Sequence, residues 1–421
     1  MTRKSLTAAM ILASAGLASS QTINIPPDSF PGEAFFTANP GATVNVCCFD
    51  GIAPEAPDGV FTFNGATVNI NDDGDSGFFT FDTFVEDVTY NINDGGRLVR
   101  TKVVAGIGST ALNIFPGGTA RSGLWLQGNA VCTITGGDVG LVAQGQAAMI
   151  IEDHASCTMS GGDIDTFILL QDNATFEQSG GTIDGGIQIN DDAVVTVSGG
   201  SSGNNGFTRS IGSVLNVTGG TVGNDFVAEK GTVNLSGGGI GTNAAISNSS
   251  GVDPVFHMTG GALGESFRAY AGTFNLSGGV IGAGFRLGTP TGDGSGVTMN
   301  ISAKSAKIDG VDLPLSTTPF VITNRAGETL SCTLLDDSIV SFELNEGFVF
   351  GEDRFRAGAI LTIKGPCLAD TNGDGVVSPA DFSVWVAAFN SLSPECDQNN
   401  DGTCSPADFS AWVANYNAGC V

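Results

Sequence analysis

Positive charge is scarce in this 421-residue chain: 16 lysines and arginines stand against 43 aspartates and glutamates, with 2 histidines and a net charge of −27. A field of that sign repels phosphate, which excludes DNA, RNA and anionic membranes as partners and favours divalent cations. Long apolar runs are missing too. The stretch from Leu6 to Ala18 falls short of the ~20 residues needed to cross a bilayer, and no later segment is longer and uncharged, so no membrane span is expected. No Ser–His–Asp, phosphate-loop or zinc-type spacing is present, which removes the commonest signatures of catalysis.

What is present begins with an export pattern. Arg3 and Lys4 precede the apolar stretch, and Ala18-Ser19-Ser20 precedes Gln21. The pattern predicts a signal peptide over 1–20 and a secreted, extracellular or cell-surface protein. Nine cysteines suit an oxidising compartment, although an odd number leaves the connectivity open. Cys367, Cys396, Cys404 and Cys420 crowd the C-terminus, where the pairs Cys367–Cys420 and Cys396–Cys404 are expected. Cys132 and Cys157 hold equivalent places in successive repeats, either as a bridge or as buried free thiols.

The chain exceeds what one compact core usually organises, so several domains or an elongated repeat is expected. Its 62 glycines, with many Thr, Asn and Ser, suit short strands and tight turns. One phrase recurs every ~20 residues: Cys132-Thr-Ile-Thr-Gly-Gly, Cys157-Thr-Met-Ser-Gly-Gly, Val195-Thr-Val-Ser-Gly-Gly, Leu215-Asn-Val-Thr-Gly-Gly and Phe274-Asn-Leu-Ser-Gly-Gly among others. Degenerate copies start at Val68, Tyr90, Leu112 and Met299. Residues four and two before the first glycine are apolar, with a polar residue between them. Period two marks a strand with one buried face. A further apolar residue follows the glycines, as at Val139, Ile183 and Ile240, and another alternating pair comes later, as at Phe226 and Ala228. Three short strands and glycine turns in ~20 residues describe one coil of a parallel β-solenoid. The predicted fold is therefore mainly β: an N-terminal cap over 21–40, solenoid repeats over 41–303, a C-terminal β cap over 304–365, and a small α-helical domain over 366–421. Asn216, Asn234 and Asn275 should form part of an outward polar column, with His257 in the same place in its coil.

These repeats resemble the glycine-rich β-helical repeats of large bacterial surface proteins. Asp153, Asp172 and Asp191 each lie eight residues before a glycine pair and should stack. The column reads either as a cation- or sugar-binding strip, or an acid/base site, or as turn residues repeated because the turn repeats. Turn chemistry favours the last reading. Ile151-Glu-Asp-His154 is similar to a phrase of pectate lyases, but the accompanying tryptophan and arginine motif are missing, and no Lys or Arg lies between Arg121 and Arg209.

The C-terminal region carries the specific signal. Asp370, Asn372, Asp374, Val376, Ser378 and Asp381 occupy positions 1, 3, 5, 7, 9 and 12 of a twelve-residue loop, and Asp397, Asn399, Asp401, Thr403, Ser405 and Asp408 repeat them. Calcium takes six to eight oxygens, which such a loop supplies from side chains at 1, 3, 5 and 12, the carbonyl at 7 and position 9. Gly375 and Gly402 stand at position 6, where the chain turns sharply. A helix follows each loop, with Phe382, Trp385, Val386 and Phe389 matched by Phe409, Trp412, Val413 and Tyr416; these two faces can form the module's core. With six loop aspartates and no Lys, Arg or His after residue 366, the module is expected to need two Ca2+ ions to fold.

Loop then helix, twice, resembles the type I dockerin modules of bacteria. That resemblance implies calcium binding and attachment to a cohesin-like or other extracellular protein, although Pro379-Ala380 and Pro406-Ala407 stand where dockerins often carry Ser or Thr. The expected function is thus a secreted, non-catalytic solenoid that docks through its calcium module. The alternative is an extracellular polysaccharide lyase or glycoside hydrolase on a β-helix.

Overall fold

The computed structural model describes residues 22–25, 33–47, 51–52, 60–71, 79–80, 84–105, 110–140, 146–247, 251–291, 294–347, 352–372, 376–399 and 401–419. The expected signal peptide lies outside these residues.

The repeats stack as a parallel β-solenoid in the register that the glycine phrase predicts. Val195 lies beside Leu215, then Val233, Phe256, Phe274, Met299 and Leu361 in successive rungs. Upstream, Val44 lies beside Val68, then Tyr90, Leu112, Cys132, Cys157 and Phe176. All these side chains are at most 1% exposed, so period two in sequence becomes a continuous interior column. Rings meet where phenylalanines stack, with Phe267 centred 5.4 Å from Phe256, 5.3 Å from Phe274 and 5.9 Å from Phe285. Cys132 and Cys157 are buried free thiols in adjacent rungs, and burial pushes the Cys157 thiol well up. Burial likewise pushes Cys332 up to about 12. Gln178 is an exception to the apolar pattern. It sits fully buried in that interior, with its amide donating to the carbonyls of Gly181 and Ser201 at 3.3 and 3.1 Å.

Each glycine pair turns the chain without ending the sheet. In Val214–Val222 the first two expected strands form one bent strand, with a bulge between Val217 and Thr218, and Val227–Ala228 supplies the third. The two glycines do different work. A Cβ on Gly199 would collide with the Ser179 carbonyl oxygen of the preceding coil, whereas Gly200 sits at φ +72°, which side chains disfavour.

Outward-facing residues form hydrogen-bonded ladders. Asn69 donates to Asn45 at 2.9 Å, Asn91 to Asn69 at 2.8 Å and Asn113 to Asn91 at 2.9 Å. The same column continues through Asn216, Asn234, His257 and Asn275 in register, as the sequence predicts. A second ladder explains the aspartates. Asp153, Asp172 and Asp191 have φ between +52° and +58°, a left-handed turn that Asp tolerates. The Asp172 carboxylate accepts from the Asp153 N–H and that of Asp191 from the Asp172 N–H, each at 3.2 Å. Each carboxylate thereby holds the neighbouring coil's turn, which favours the turn reading over an acid/base site.

The ends depart from plain stacking. Thr22–Ile25 pairs parallel with Thr43–Cys47, and helix α1 (Glu33–Ala38) sets Phe36 against Phe63 with ring centroids 4.7 Å apart. Strand Val297–Ile308 crosses the boundary expected at 303. Its first half stays in the parallel stack, while its second half pairs antiparallel with Ala326–Leu334. After the hairpin partner Ile339–Asn345, the chain returns to the stack at Arg354–Phe355 and Ile360–Lys364. The antiparallel hairpin is an insertion between coils, and a further rung closes behind it. Among the described residues, no helix is long and apolar enough to cross a membrane.

Candidate metal centre

Both terminal helices start on the same local device. Helix α2 (Pro379–Ser391) is capped by Ser378 and helix α3 (Pro406–Ala418) by Ser405; each serine accepts from the N–H two residues on, and Asp381 or Asp408 at the third helical position reaches back to the cap. This is a capping box. Proline at the first helical position has no N–H to waste and brings the φ a helix needs, which gives the Pro-Ala pairs a structural reason.

Asp381 and Asp408 are fully buried. Asp408 accepts from the N–H groups of Gln398 at 2.9 Å, Asn399 at 3.2 Å and Ser405 at 2.8 Å, and from the Ser405 hydroxyl at 3.2 Å. Asp381 repeats this with Asn372 at 3.1 Å and with the Ser378 N–H and hydroxyl at 2.8 and 3.2 Å. Burial pushes both carboxyls up, but the hydrogen bonds outweigh it and hold both below the usual range. Each carboxylate ties the start of its loop to the start of its helix.

The rest of the second loop closes on itself. Asp397 accepts from the N–H groups of Asp401 at 3.1 Å and Gly402 at 2.8 Å, and Asn399 accepts from the Asp401 N–H at 2.9 Å. Asp401 in turn accepts from the Thr403 hydroxyl at 2.6 Å, the Asn399 amide at 2.9 Å and the Thr403 N–H at 2.9 Å, and these lower its carboxyl. Gly402 turns at φ +85°. Oxygens from positions 1, 3 and 5 thus share one exposed turn, which suits a hard cation. Position 12 is buried instead, with both oxygens engaged by backbone and hydroxyl donors. Among the described residues no three His, Cys, Asp or Glu side chains come together as a metal-ligating group. In the first loop Asp370, Asn372, Val376 and Ser378 are described, whereas Asp374 and Gly375 lie outside the described residues.

The two helices pack in a reciprocal pattern. Phe382 lies 5.0 Å from Trp412, Trp385 lies 5.7 Å from Phe409, and the two phenylalanines are 6.0 Å apart. The core is narrower than the sequence predicts. Trp385 and Trp412 are 4% and 6% exposed, but Phe382, Val386, Phe409 and Val413 are between 36% and 46% exposed. Two helices of 13 residues each have too little facing surface to cover all eight side chains. The Trp385 indole donates to the Cys396 carbonyl at 3.1 Å.

Cys396 and Cys404 are paired, with Cα atoms 5.6 Å apart, as expected. Cys367 is disulfide-bonded, and Cys420, its expected partner, lies outside the described residues. One organising residue escaped sequence reasoning. Gln398 is buried at the second loop position, donates to the Leu368 carbonyl at 2.7 Å, and accepts from Asn415 at 3.1 Å on both its oxygens. It joins the second loop to the entry of the first and to α3. Nothing about a polar residue at the second loop position signals this.

The class defined by this architecture is a parallel β-solenoid carrying a small terminal pair of capped helices. No protein-family model, curated protein or solved structure matches the chain.

Proposed function

We propose that the protein is a non-catalytic, secreted or cell-surface solenoid that binds two Ca2+ ions in its duplicated terminal loops and docks through that module to an extracellular protein. The observation that carries the proposal is the repeated loop and helix. Two loops with oxygen-bearing residues at the same positions each run into the same Ser-Pro-Ala-Asp helix start, and in both the N–H groups of loop positions 3 and 9 donate to the twelfth residue. Calcium would be held by Asp397, Asn399 and Asp401 and by their counterparts Asp370, Asn372 and Asp374, joined by the carbonyls of Val376 and Thr403. Ser378 and Ser405, with Asp381 and Asp408, supply the remaining oxygens or brace the loops. Phe382, Val386, Phe409 and Val413, left partly bare, offer an apolar surface to a partner, and the solenoid acts as a rigid spacer.

The test uses the full secreted chain immobilised on beads, with and without calcium, against extracellular proteins of its source. We expect a partner that is retained only with calcium, rebinds when purified, and is lost with Asp401→Ala. Retention independent of calcium, or release of sugar from acidic polysaccharides by the chain alone, would overturn the reading.

A further inference from the structure

The solenoid carries a second surface along its length. The first strand of each coil turns two residues outward, and the unbroken register lines them up as two parallel columns. One runs through Thr43, Thr67 and Thr89 to Thr232, and the other is the asparagine column already described. They continue side by side to Ile360 and Thr362. Apart from Glu177 and His257, every position between these ends is Thr, Ser, Asn, Val, Ala or Ile, and all are half-buried or exposed. In a chain with 43 acids, these two columns hold one.

The array is also held still. Thr and Val are stiff at χ1. The asparagines are tied to one another at 2.8–2.9 Å, from Asn45 through Asn113, between Asn216 and Asn234, and between Asn275 and Asn300. Backbone pairing fixes the rungs at ~4.8 Å, close to the spacing of oxygen rows on a prism face of ice. A surface ordered before it meets its partner gives up little entropy on binding, and weak contacts repeated on one rigid body reinforce each other.

The chemistry of the columns narrows the partner. Hydroxyls and amides hydrogen-bond to water, while the methyl groups of Thr and Val leave neighbouring waters bonded to each other. Charged side chains would impose hydration shells of their own. Sugar rings are gripped by aromatic side chains, and neither column contains Phe, Tyr or Trp. A second copy would bring another −27 charge alongside the first. Solid water is uncharged, flat and periodic, as this face is.

We infer that this face binds ice, with rows of lattice water held along the threonine and asparagine columns. The site is separate from the terminal loops.

Freezing-point hysteresis of the full chain in calcium, measured on single ice crystals, tests it, with uptake of the chain into a growing ice shell as a second readout. We expect hysteresis, faceted crystals and enrichment in the ice. Thr67→Lys combined with Thr232→Lys should at least halve the hysteresis. Thr221→Lys, at an exposed position beyond the glycine turn on another face, should leave it unchanged, and Glu177→Thr, which removes the acid, should raise it. The solenoid β signal should be the same in all variants. Absence of hysteresis together with exclusion of the chain from ice, equal losses in the Thr221 and Thr67/Thr232 variants, or a loss in Glu177→Thr would each overturn the inference. A stable dimer of the full chain that is broken by Thr67→Lys with Thr232→Lys would also overturn it, assigning the face to a second copy.

Discussion

Replacing Asp408 by alanine separates the structural role of the twelfth loop position from metal ligation. Its carboxylate holds three backbone N–H groups and a hydroxyl while fully buried. Charge-assisted hydrogen bonds contribute ~1.5–3 kcal/mol each. Taking the low end for the three N–H donors, and allowing water to reach some of them, the substitution costs about 3–5 kcal/mol. A module of this size holds ~3–8 kcal/mol in total, so most of its stability is at stake. With the two proposed ions taken up on folding and ~1.4 kcal/mol per decade, the calcium midpoint should move up by about one to two decades. The assay is a calcium titration of the full chain followed by far-UV circular dichroism at the helical bands, with fluorescence of the buried Trp385 and Trp412 as a second probe. Amide exchange in saturating calcium then distinguishes the roles. In Asp408→Ala the Gln398 and Asn399 N–H groups lose the carboxylate oxygen they share and should lose protection, whereas in Asp401→Asn they should keep it while calcium affinity falls. An Asp408→Ala midpoint within threefold of the parent, or protection at Gln398 unchanged in Asp408→Ala, would refute the reasoning.

Chelator should collapse the helical signal of the terminal module while leaving the solenoid's β signal intact; a dichroism spectrum indifferent to chelator would count against calcium-dependent folding. Phe267→Ala removes a ring packed against three others and should cost about 3–5 kcal/mol, read as a lower denaturation midpoint of the solenoid. Asp172→Val places a β-branched residue at φ +54° and removes the acceptor for the Asp153 N–H, so a loss of about 2–3 kcal/mol is expected, whereas Asp172→Gly should stay within about 1 kcal/mol; equal melting of the two would contradict the turn reading. Asp336 ties the inserted hairpin to the stack by accepting from the Gly279 N–H at 2.7 Å and from the Ser338 N–H and hydroxyl at 3.0 and 2.5 Å. Burial pushes that carboxyl up, the hydrogen bonds more than offset it, and its folded value falls below the ordinary one. Its stabilisation is therefore present above ~pH 4 and lost as pH falls through the folded value; Asp336→Asn should flatten the dependence of melting temperature on pH between about 5 and 2, and parallel curves would exclude this role.

The parts of this protein legible in its sequence are those set by neighbours along the chain. Alternating apolar residues before a glycine pair specify a one-faced strand and its turn, and repetition of that unit leaves parallel stacking as the way to bury the exposed faces. Ser-Pro-Ala-Asp likewise specifies two helix starts, because a capping box is complete within four residues. Other features depend on which coil lies beside which. The aspartate column becomes a ladder only because each carboxylate reaches an N–H about nineteen residues away in the adjacent coil. Gln178 can occupy the interior because carbonyls from its own and the next coil's turn accept its amide. The inserted hairpin and the return of Ile360–Lys364 to the stack bring together residues more than sixty positions apart, such as Asn300 and Thr362. The inward turn of Asp381 and Asp408 is a contest between loop oxygens and backbone donors that spacing alone leaves open. Local pattern determined the solenoid and the capped helices, and tertiary proximity decided what the polar groups on them do, because a hydrogen bond is specific to the partner that folding supplies.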